Sequence, residues 1–393
     1  MISCPPIARE EMELKSINYS QYDGELDEWR LEGLELGRVN LLVSSNAVGK
    51  TRTLNVINGL AALLSGRVKL RFRSGNYDTR LEHDGKVFQY VLEYRDAQVV
   101  REEFRRNKTE VLLQRGEGGA GKIFAEKIGG LMEFQTPEDE LAAVARRDTV
   151  QHSFLDPLTQ WANSTYHYAF GSDMGKNRFA AITGSEKGEF DPHNTEAVVV
   201  IFKKGQEDFG DRFEKAIRQD MESIGYCLDH VNTDMPSSVT IRTPLGAEVV
   251  GLYAKETDLK GETDQHNMSQ GMFRAFSIII QLNYLLMGSK PSCILIDDIG
   301  EGLDFERSCA LIELLIEKVE GAPVQLVMAT NDRFVMNKVP LEVWSVLQRE
   351  PGVCRVRNYA NSKDLFDEFK FTGMNNFDFF ACDYLNREHQ VNE

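Results

Sequence analysis

The sequence predicts an α/β protein with a mixed sheet core, and three stretches carry that prediction. The first is Ser44-Ser45-Asn46-Ala47-Val48-Gly49-Lys50-Thr51, set between an apolar strand run at 38–43 and a helical run at 52–64. The second is Cys293-Ile294-Leu295-Ile296-Asp297-Asp298, a short apolar run ending in two carboxylates. The third is the apolar run 324–330, which ends at Asn331-Asp332. Short apolar runs bounded by polar residues read as strands buried on both faces, the kind that helices cover in a parallel sheet.

The first stretch has the form of a P-loop. A turn ending in Gly49-Lys50-Thr51 at a strand-to-helix junction offers phosphate its backbone amides and a helix N-terminus. Lys50 would reach the terminal phosphates and the Thr51 hydroxyl would ligate Mg²⁺. The candidate nucleotide contacts are therefore Ser45, Asn46, Ala47, Val48, Gly49, Lys50, Thr51 and Arg52. Ser44 stands where the pattern has a glycine, so the turn lacks its most permissive residue. Leu54, Ile57, Leu60, Ala61 and Leu64 recur at helical spacing behind the loop.

Composition sets bounds. A chain of 393 residues holds two or three lobes, and 42% hydrophobic content fits a soluble globular protein. A formal net charge of −16 argues against a surface basic all over, leaving nucleic acid to a local patch or to a partner. Cys4, Cys227, Cys293, Cys309, Cys354 and Cys382 show no metal-type pairing, and reduced cytoplasmic thiols account for them. No signal peptide or long apolar run is read, so neither export nor a membrane span is expected.

In chain order, Leu14, Ile17 and Tyr19 mark one strand, and Trp29, Leu31, Leu34 and Leu36 mark another. Residues 67–73 alternate basic and apolar, predicting a strand with Arg67, Lys69, Arg71 and Arg73 on one face. That face is either a solvated outer surface or a stripe for a phosphate backbone, joined by Arg105, Arg106 and Lys108. Asp84-Gly85 and Asp96-Ala97 predict hairpin turns within 83–100. The glycine-rich 116–121 reads as a flexible loop, 137–147 as a helix and 164–170 as a strand. His152, His167 and His193 read as satisfied or surface side chains, not zinc ligands. A polar loop is expected over 171–192, one amphipathic helix over 207–229, and a hairpin over 239–253 turning at Pro244-Leu245-Gly246. No sustained heptads appear, so no long coiled coil is expected.

The C-terminal third supplies more polar chemistry. Ser269-Gln270-Gly271 opens an apolar helix over 275–286, either as an anion-binding turn or as a plain N-cap. Asp297 at a strand end would support Mg²⁺, and Asp298 would orient an attacking water. Gly300-Glu301-Gly302-Leu303-Asp304 follows, then a helix over 305–319.

Taken in order, the P-loop, the Ser-x-Gly turn, the Asp-Asp strand end, the Gly-Leu-Asp loop and the Ala-Thr-Asn strand end resemble the ABC-type ATPase head of SMC proteins, RecF and OLD-like ATPases. The nearest resemblance is to compact AAA-type ATPases of bacterial defence and toxin-like operons, which the tail 371–380 also resembles. The resemblance covers 1–66 and 265–385 by motif and the middle by layout. It implies a P-loop NTPase fold of the ABC-ATPase type, with a mixed sheet core, an antiparallel β subdomain and an inserted helical lid. Residues 1–170 and 266–393 would form the ATPase core and 171–265 the insertion.

The resemblance further implies ATP and Mg²⁺ as ligands and head-to-tail closure of two copies around two nucleotides. Ser269 and Gly271 would touch the γ-phosphate on the partner head, and Arg274 would support that helix start. Asp297 becomes the Mg²⁺-side carboxylate, and Asp304 belongs to the loop that communicates across the dimer. Asp298 stands where the family has a catalytic glutamate, and Asn331 where it has a histidine. Glu301 is close enough in sequence to compensate. The expected function is a slowly hydrolysing ATP switch that acts with a separate effector in anti-phage defence or a DNA-linked process. The alternative is a non-hydrolysing ATP-bound scaffold for a nuclease or toxin.

Overall fold

Strand runs and helix runs alternate along the chain in the order their apolar periodicities demand. The computed structural model describes residues 11–183, 190–238, 247–382 and 384–386. β1 (Glu13–Gln21), β2 (Trp29–Glu35) and β3 (Val39–Val43) lead to helix α1 (Lys50–Leu64). Six strands follow: β4 (Ser74–His83), β5 (Lys86–Arg95), β6 (Gln98–Arg106), β7 (Glu110–Arg115), β8 (Ala120–Ala125) and β9 (Gly130–Gln135). Next come α2 (Ala142–Ala145), α3 (Asp156–Asn163), β10 (Thr165–Ala169), β11 (Ala180–Thr183), α4 (Val198–Phe209) and α5 (Asp211–Ser223). β12 (Leu228–Asp234), β13 (Ala247–Glu256) and β14 (Thr263–Asp264) precede helix α6 (Gln270–Met287). The last third holds β15 (Ser292–Asp297), α7 (Phe305–Val319), β16 (Val324–Thr330) and α8 (Arg333–Lys338). It ends with β17 (Trp344–Glu350), β18 (Val353–Asn358), α9 (Tyr359–Lys370) and α10 (Asn376–Ala381).

The chain divides into two units. The first comprises Met1–Asn40, Ser44–Thr165 and Glu342–Phe371; the second comprises Leu41–Val43, Tyr166–Leu341 and Thr372–Glu393. The segment expected as an insertion, 171–265, lies in the second unit together with 266–341.

In the first unit the strands run in the order β17-β18-β2-β1-β4-β5-β6-β7-β8-β9. Pairing is antiparallel, apart from the parallel β18–β2 pair. Asp84-Gly85 and Asp96-Ala97 are two-residue turns with positive φ at both positions, the geometry that matches strand twist in a tight hairpin.

Several local expectations are corrected in this unit. Residues 67–73 form no strand; β4 begins only at Ser74. Their apolar residues share no buried face, since Leu70 is buried while Phe72 is 67% exposed. Gly66 turns the chain at φ 75, and Arg67 then donates to Ser65 Oγ and the Ala162 carbonyl. Arg67, Lys69, Arg71 and Arg73 therefore form no strand-face stripe, and Arg105 and Arg106 pair with Glu103 and Glu110. Residues 116–119 are the turn that joins the paired strands β7 and β8, and 120–121 open β8; a Cβ on Gly119 would lie 2.0 Å from the Thr136 carbonyl. Only residues 142–145 of the helix expected over 137–147 are α-helical.

In the second unit the strand order is β10-β15-β16-β3, with β15 and β16 parallel. Every residue of β15 and β16 is buried, as their unbroken apolar runs predict. A separate antiparallel sheet has the order β11-β13-β12. The single helix expected over 207–229 is two helices, because Gly210 breaks the run at φ 61, and β12 begins at Leu228. Part of the expected loop over 171–192 is the strand β11. The turn expected at Pro244-Leu245-Gly246, and Cys4, lie outside the described residues. Cys293, Cys309 and Cys354 are buried free thiols, and Cys227 and Cys382 are exposed ones. No helix among the described residues is long and apolar enough to cross a membrane.

Helices α5, α6 and α7 meet through a polar triad. Asp220 accepts from Asn283 Nδ2 at 2.6 Å and pairs with Lys318 at 2.8 Å, while Lys318 donates to Asn283 Oδ1 at 3.0 Å. Each member satisfies the other two, which holds α6 and α7 in register with α5. Asp220→Ala leaves a mostly buried ammonium without its counter-charge. The expected cost is about 2–3 kcal/mol, below the fully buried case because Lys318 keeps 19% of its side chain exposed. Denaturant unfolding of the two proteins checks it.

Candidate nucleotide-binding site

The P-loop residues belong to the first unit. Its left-handed positions are Ala47 (φ 62) and Gly49 (φ 131), and Ser44 is not among them. The missing glycine therefore costs the turn nothing there. Ser44 is buried and its hydroxyl donates to the Ser45 carbonyl at 2.9 Å. Lys50 is 7% exposed; its Nζ donates to the Ser44 carbonyl at 3.1 Å and approaches Ser44 Oγ at 3.3 Å.

Gly49 is the N-cap of α1, and no side chain caps that helix. A 15-residue helix thus presents its first amides, and the positive end of its dipole, without a side-chain acceptor. Ser45, Asn46, Ala47, Thr51 and Arg52 are exposed around this end, with Val48 half-buried. From β17, Arg349 Nη1 donates to the Ala47 carbonyl at 3.1 Å. The Arg52 guanidinium lies 4.0 Å over the Trp29 ring. A Cβ on Gly49 would lie 3.7 Å from both Trp29 and Cys354 Sγ. Burial pushes the Cys354 thiol up to about 11, with the Arg52 charge opposing.

The acidic residues belong to the second unit. Asp297 ends β15, is 6% exposed, and its Oδ1 meets no hydrogen-bond partner among the described residues. Its carbonyl accepts from the Phe170 amide at 3.0 Å. Asp298 follows in the left-handed region at φ 54, which turns the chain sharply off the strand. Ile299, just past the end of β15, then bonds to the end of β16: its amide donates to the Ala329 carbonyl, and its carbonyl accepts from Thr330 Oγ1. Asn331 stands exposed just beyond.

Asp298 and Glu301 converge on one point. A Cβ on Gly171 would lie 3.2 Å from Asp298 Oδ2 and 3.5 Å from Glu301 Oε2. Arg274 is 9% exposed and donates to three carbonyls, those of Gly171, Ser172 (2.7 Å) and Glu301 (2.8 Å). Gly271 is close-packed, since a Cβ there would lie 2.3 Å from the Gly302 carbonyl.

Ser269 caps α6, its hydroxyl accepting from the Met272 amide at 3.2 Å. Asp304 caps α7, accepting from the Arg307 amide at 3.0 Å and pairing with the Arg307 side chain. That capping amide and the guanidinium hold the Asp304 carboxyl below its ordinary range. Arg307 in turn stacks 4.4 Å over Tyr226.

His167 departs from its expected reading. Its Nε2 is buried without a hydrogen-bond partner among the described residues, and burial pulls its pKa down against the opposing Asp297 charge. His152 accords with the satisfied reading, its Nδ1 lying 2.9 Å from the Phe124 carbonyl. Sequence reasoning also missed Gly171, Trp29 and Arg349 as site residues. A lone glycine, tryptophan or arginine far from any motif carries no local signal.

An uncapped helix N-terminus beside a buried ammonium fits phosphate. A buried carboxylate oxygen left without a partner fits a divalent cation.

No protein-family model and no curated protein matches the chain. Among solved structures, an SMC head bound to the C-terminal winged-helix domain of ScpA is 12% identical; the match covers 88% of this chain and 97% of that one at TM-score 0.49. The SMC head domain from Thermotoga maritima is 12% identical over 88% and 98% at TM-score 0.44. CbiO1 from Clostridium perfringens, part of an ABC transporter complex, is 14% identical over 92% and 93% at TM-score 0.39. The fold is a mixed α/β one. Its strand–loop–helix junction at 39–64 is the one expected from the motif, and the antiparallel β4–β9 run accords with the β subdomain that the resemblance implied.

Gly49→Ala should destabilise the protein by about 1–3 kcal/mol, because no L-residue is comfortable at φ 131. Space is not the obstacle there, since the contacts at 3.7 Å are ordinary. Thermal or denaturant unfolding measures the loss, and an unchanged stability would contradict the assigned backbone geometry.

Proposed function

We propose that the protein binds ATP with Mg²⁺, hydrolyses it slowly, and works as a switch whose closed state is a head-to-tail pair of copies. The observation that carries this reading is the uncapped N-terminus of α1 behind Gly49, with the Lys50 ammonium buried beside it. Such a site is built for an anion with several phosphate oxygens, and the chain holds paired acids of the kind that phosphoryl transfer uses.

In this reading Ser45 to Arg52 cradle the phosphates, with Lys50 on the terminal groups. Thr51 and Asp297 would hold Mg²⁺, which would supply neutralisation of the phosphate charge. Asp298 would orient the attacking water and take its proton, with Glu301 and Asn331 assisting. Asp298 is one methylene shorter than a glutamate and sits in a left-handed backbone position. A displacement near 1 Å costs about 100-fold in rate, so slow turnover follows. Ser269 and Gly271 would meet the γ-phosphate held by a second copy. Placement in the defence-associated branch rests on the motif order and the 371–380 tail alone, and the effector would be a separate protein.

The short acid at 298 also suits a second reading, a nucleotide-held scaffold that does not turn over. Solution mass with and without Mg-ATP, measured alongside phosphate release, separates the two. Lys50→Ala should weaken nucleotide affinity about tenfold or more and abolish pairing. Ser269→Arg should block pairing while leaving nucleotide binding intact. Asp298→Asn should lower phosphate release about 100-fold and accumulate pairs. Trp29 fluorescence should report binding, and Trp29→Phe should remove the signal. No phosphate release with ATP-dependent pairing would favour the scaffold; a mass indifferent to ATP in every variant would sink the switch.

A further inference from the structure

The first turn of α6 carries a buried cation that is held by backbone carbonyls. Arg274 Nε donates to the Ser172 carbonyl, Nη1 to the Glu301 carbonyl and Nη2 to the Gly171 carbonyl. Three carbonyls from two separate loops thus converge on one planar group. Arginine suits this task because its fork offers donors in fixed directions, whereas a lysine ammonium is a single point.

Each loop so fastened touches the acids. Residues 171–172 abut Asp298 and Glu301 at the point where a Gly171 Cβ would fall, 3.2 Å and 3.5 Å from their oxygens. The backbone carbonyl of Glu301 is itself one of the three acceptors. Gly302 presses against the same guanidinium: a Cβ there would lie 2.7 Å from Nη1, and its φ of 82 suits glycine. The Gly302 carbonyl in turn packs on Gly271. The start of α6, the loop after β15 and the loop after β10 are consequently joined around one side chain.

We propose that Arg274 is a positioning residue for the Asp298–Glu301 pair, fastening residues 171–172 and 301 to the start of α6 so that movement at Ser269–Gly271 is transmitted to the acids. This rests on the reading of Asp298 and Glu301 as the groups that orient and deprotonate the attacking water. Arg274 touches none of the reacting atoms; it acts through three backbone carbonyls.

Hydrogen exchange on the full-length protein tests the fastening without reference to turnover. In Arg274→Lys, the amides of 171–174 and 299–303 should exchange about tenfold faster than in the wild type, both segments together, while β6 and β7 stay unchanged. Exchange at wild-type rates in either segment overturns the proposal. The second measurement is single-turnover phosphate release with nucleotide affinity. Arg274→Lys should lower the rate about tenfold with affinity within about twofold, and adding Glu301→Gln should lower it little further, because the two act through one loop. Additive losses overturn the proposal, since they assign Arg274 to general stability. Gly171→Ala keeps the fold, having no left-handed φ, yet crowds both acids, and should reproduce the loss of rate. Absence of phosphate release from the wild type would defeat the catalytic reading of Asp298, while the exchange measurement still decides the fastening.

Discussion

Strands buried on both faces cannot carry charge along their length, so β15 and β16 deliver their polar groups only at their ends. Parallel pairing satisfies their backbone amides and carbonyls, and the apolar side chains fill both faces. Charge emerges where the pairing stops, at Asp297 and Asp298 on one strand and beyond Thr330 on the other. The rest of the second unit follows from that constraint. Helices α5, α6 and α7 pack together through the Asp220–Asn283–Lys318 triad, and the loops at the strand ends must be held by whatever donors those helices provide.

Those donors explain why the acidic loop has one shape. A left-handed Asp298 turns the chain, the Ile299 backbone ties the chain just past β15 to the end of β16, and Arg274 gathers the carbonyls of the two adjoining loops. A hydrogen bond from a charged donor contributes about 1.5–3 kcal/mol at most, so the guanidinium stabilises these part-buried loops as well as aligning them. The bonds that place Glu301 near Asp298 are thus the same bonds that complete the hydrogen bonding of the strand ends. Position and stability are not separable here, which is why the proposed role of Arg274 needs a readout beyond stability.

Several residues that invite a functional reading already have a task within this chain. Ser269 caps α6, Asp304 caps α7, and Gly271 makes room for the Gly302 carbonyl. A capping serine keeps one hydroxyl lone pair and its exposure, so capping and phosphate contact are compatible. Asp304 and Arg307 also form a continuous chain of contacts with Tyr226 at the start of α7. By contrast α1 has no side-chain cap, and that difference sets the P-loop apart from the starts of α6 and α7.

Local sequence was enough to specify the strand–loop–helix junction at Ser44–Thr51, the buried runs of β15 and β16, the α7 boundaries and the two-residue hairpin turns. Each is written in local periodicity or in turn residues that only certain φ values accept. Residues 67–73 were misjudged, because alternation of residue type predicts a strand only where the apolar set finds a common buried face. Helices α4 and α5 were joined across Gly210, because a periodic stripe continues past a break that backbone conformation enforces. Folding in three dimensions settled that Ser44 needs no glycine, that the Nε2 atom of His167 is buried near the Asp297 charge, and that Gly171, Arg274 and Glu301 meet. Those contacts join residues about a hundred positions apart, and no local pattern encodes which loops a folded sheet will bring to the same strand ends.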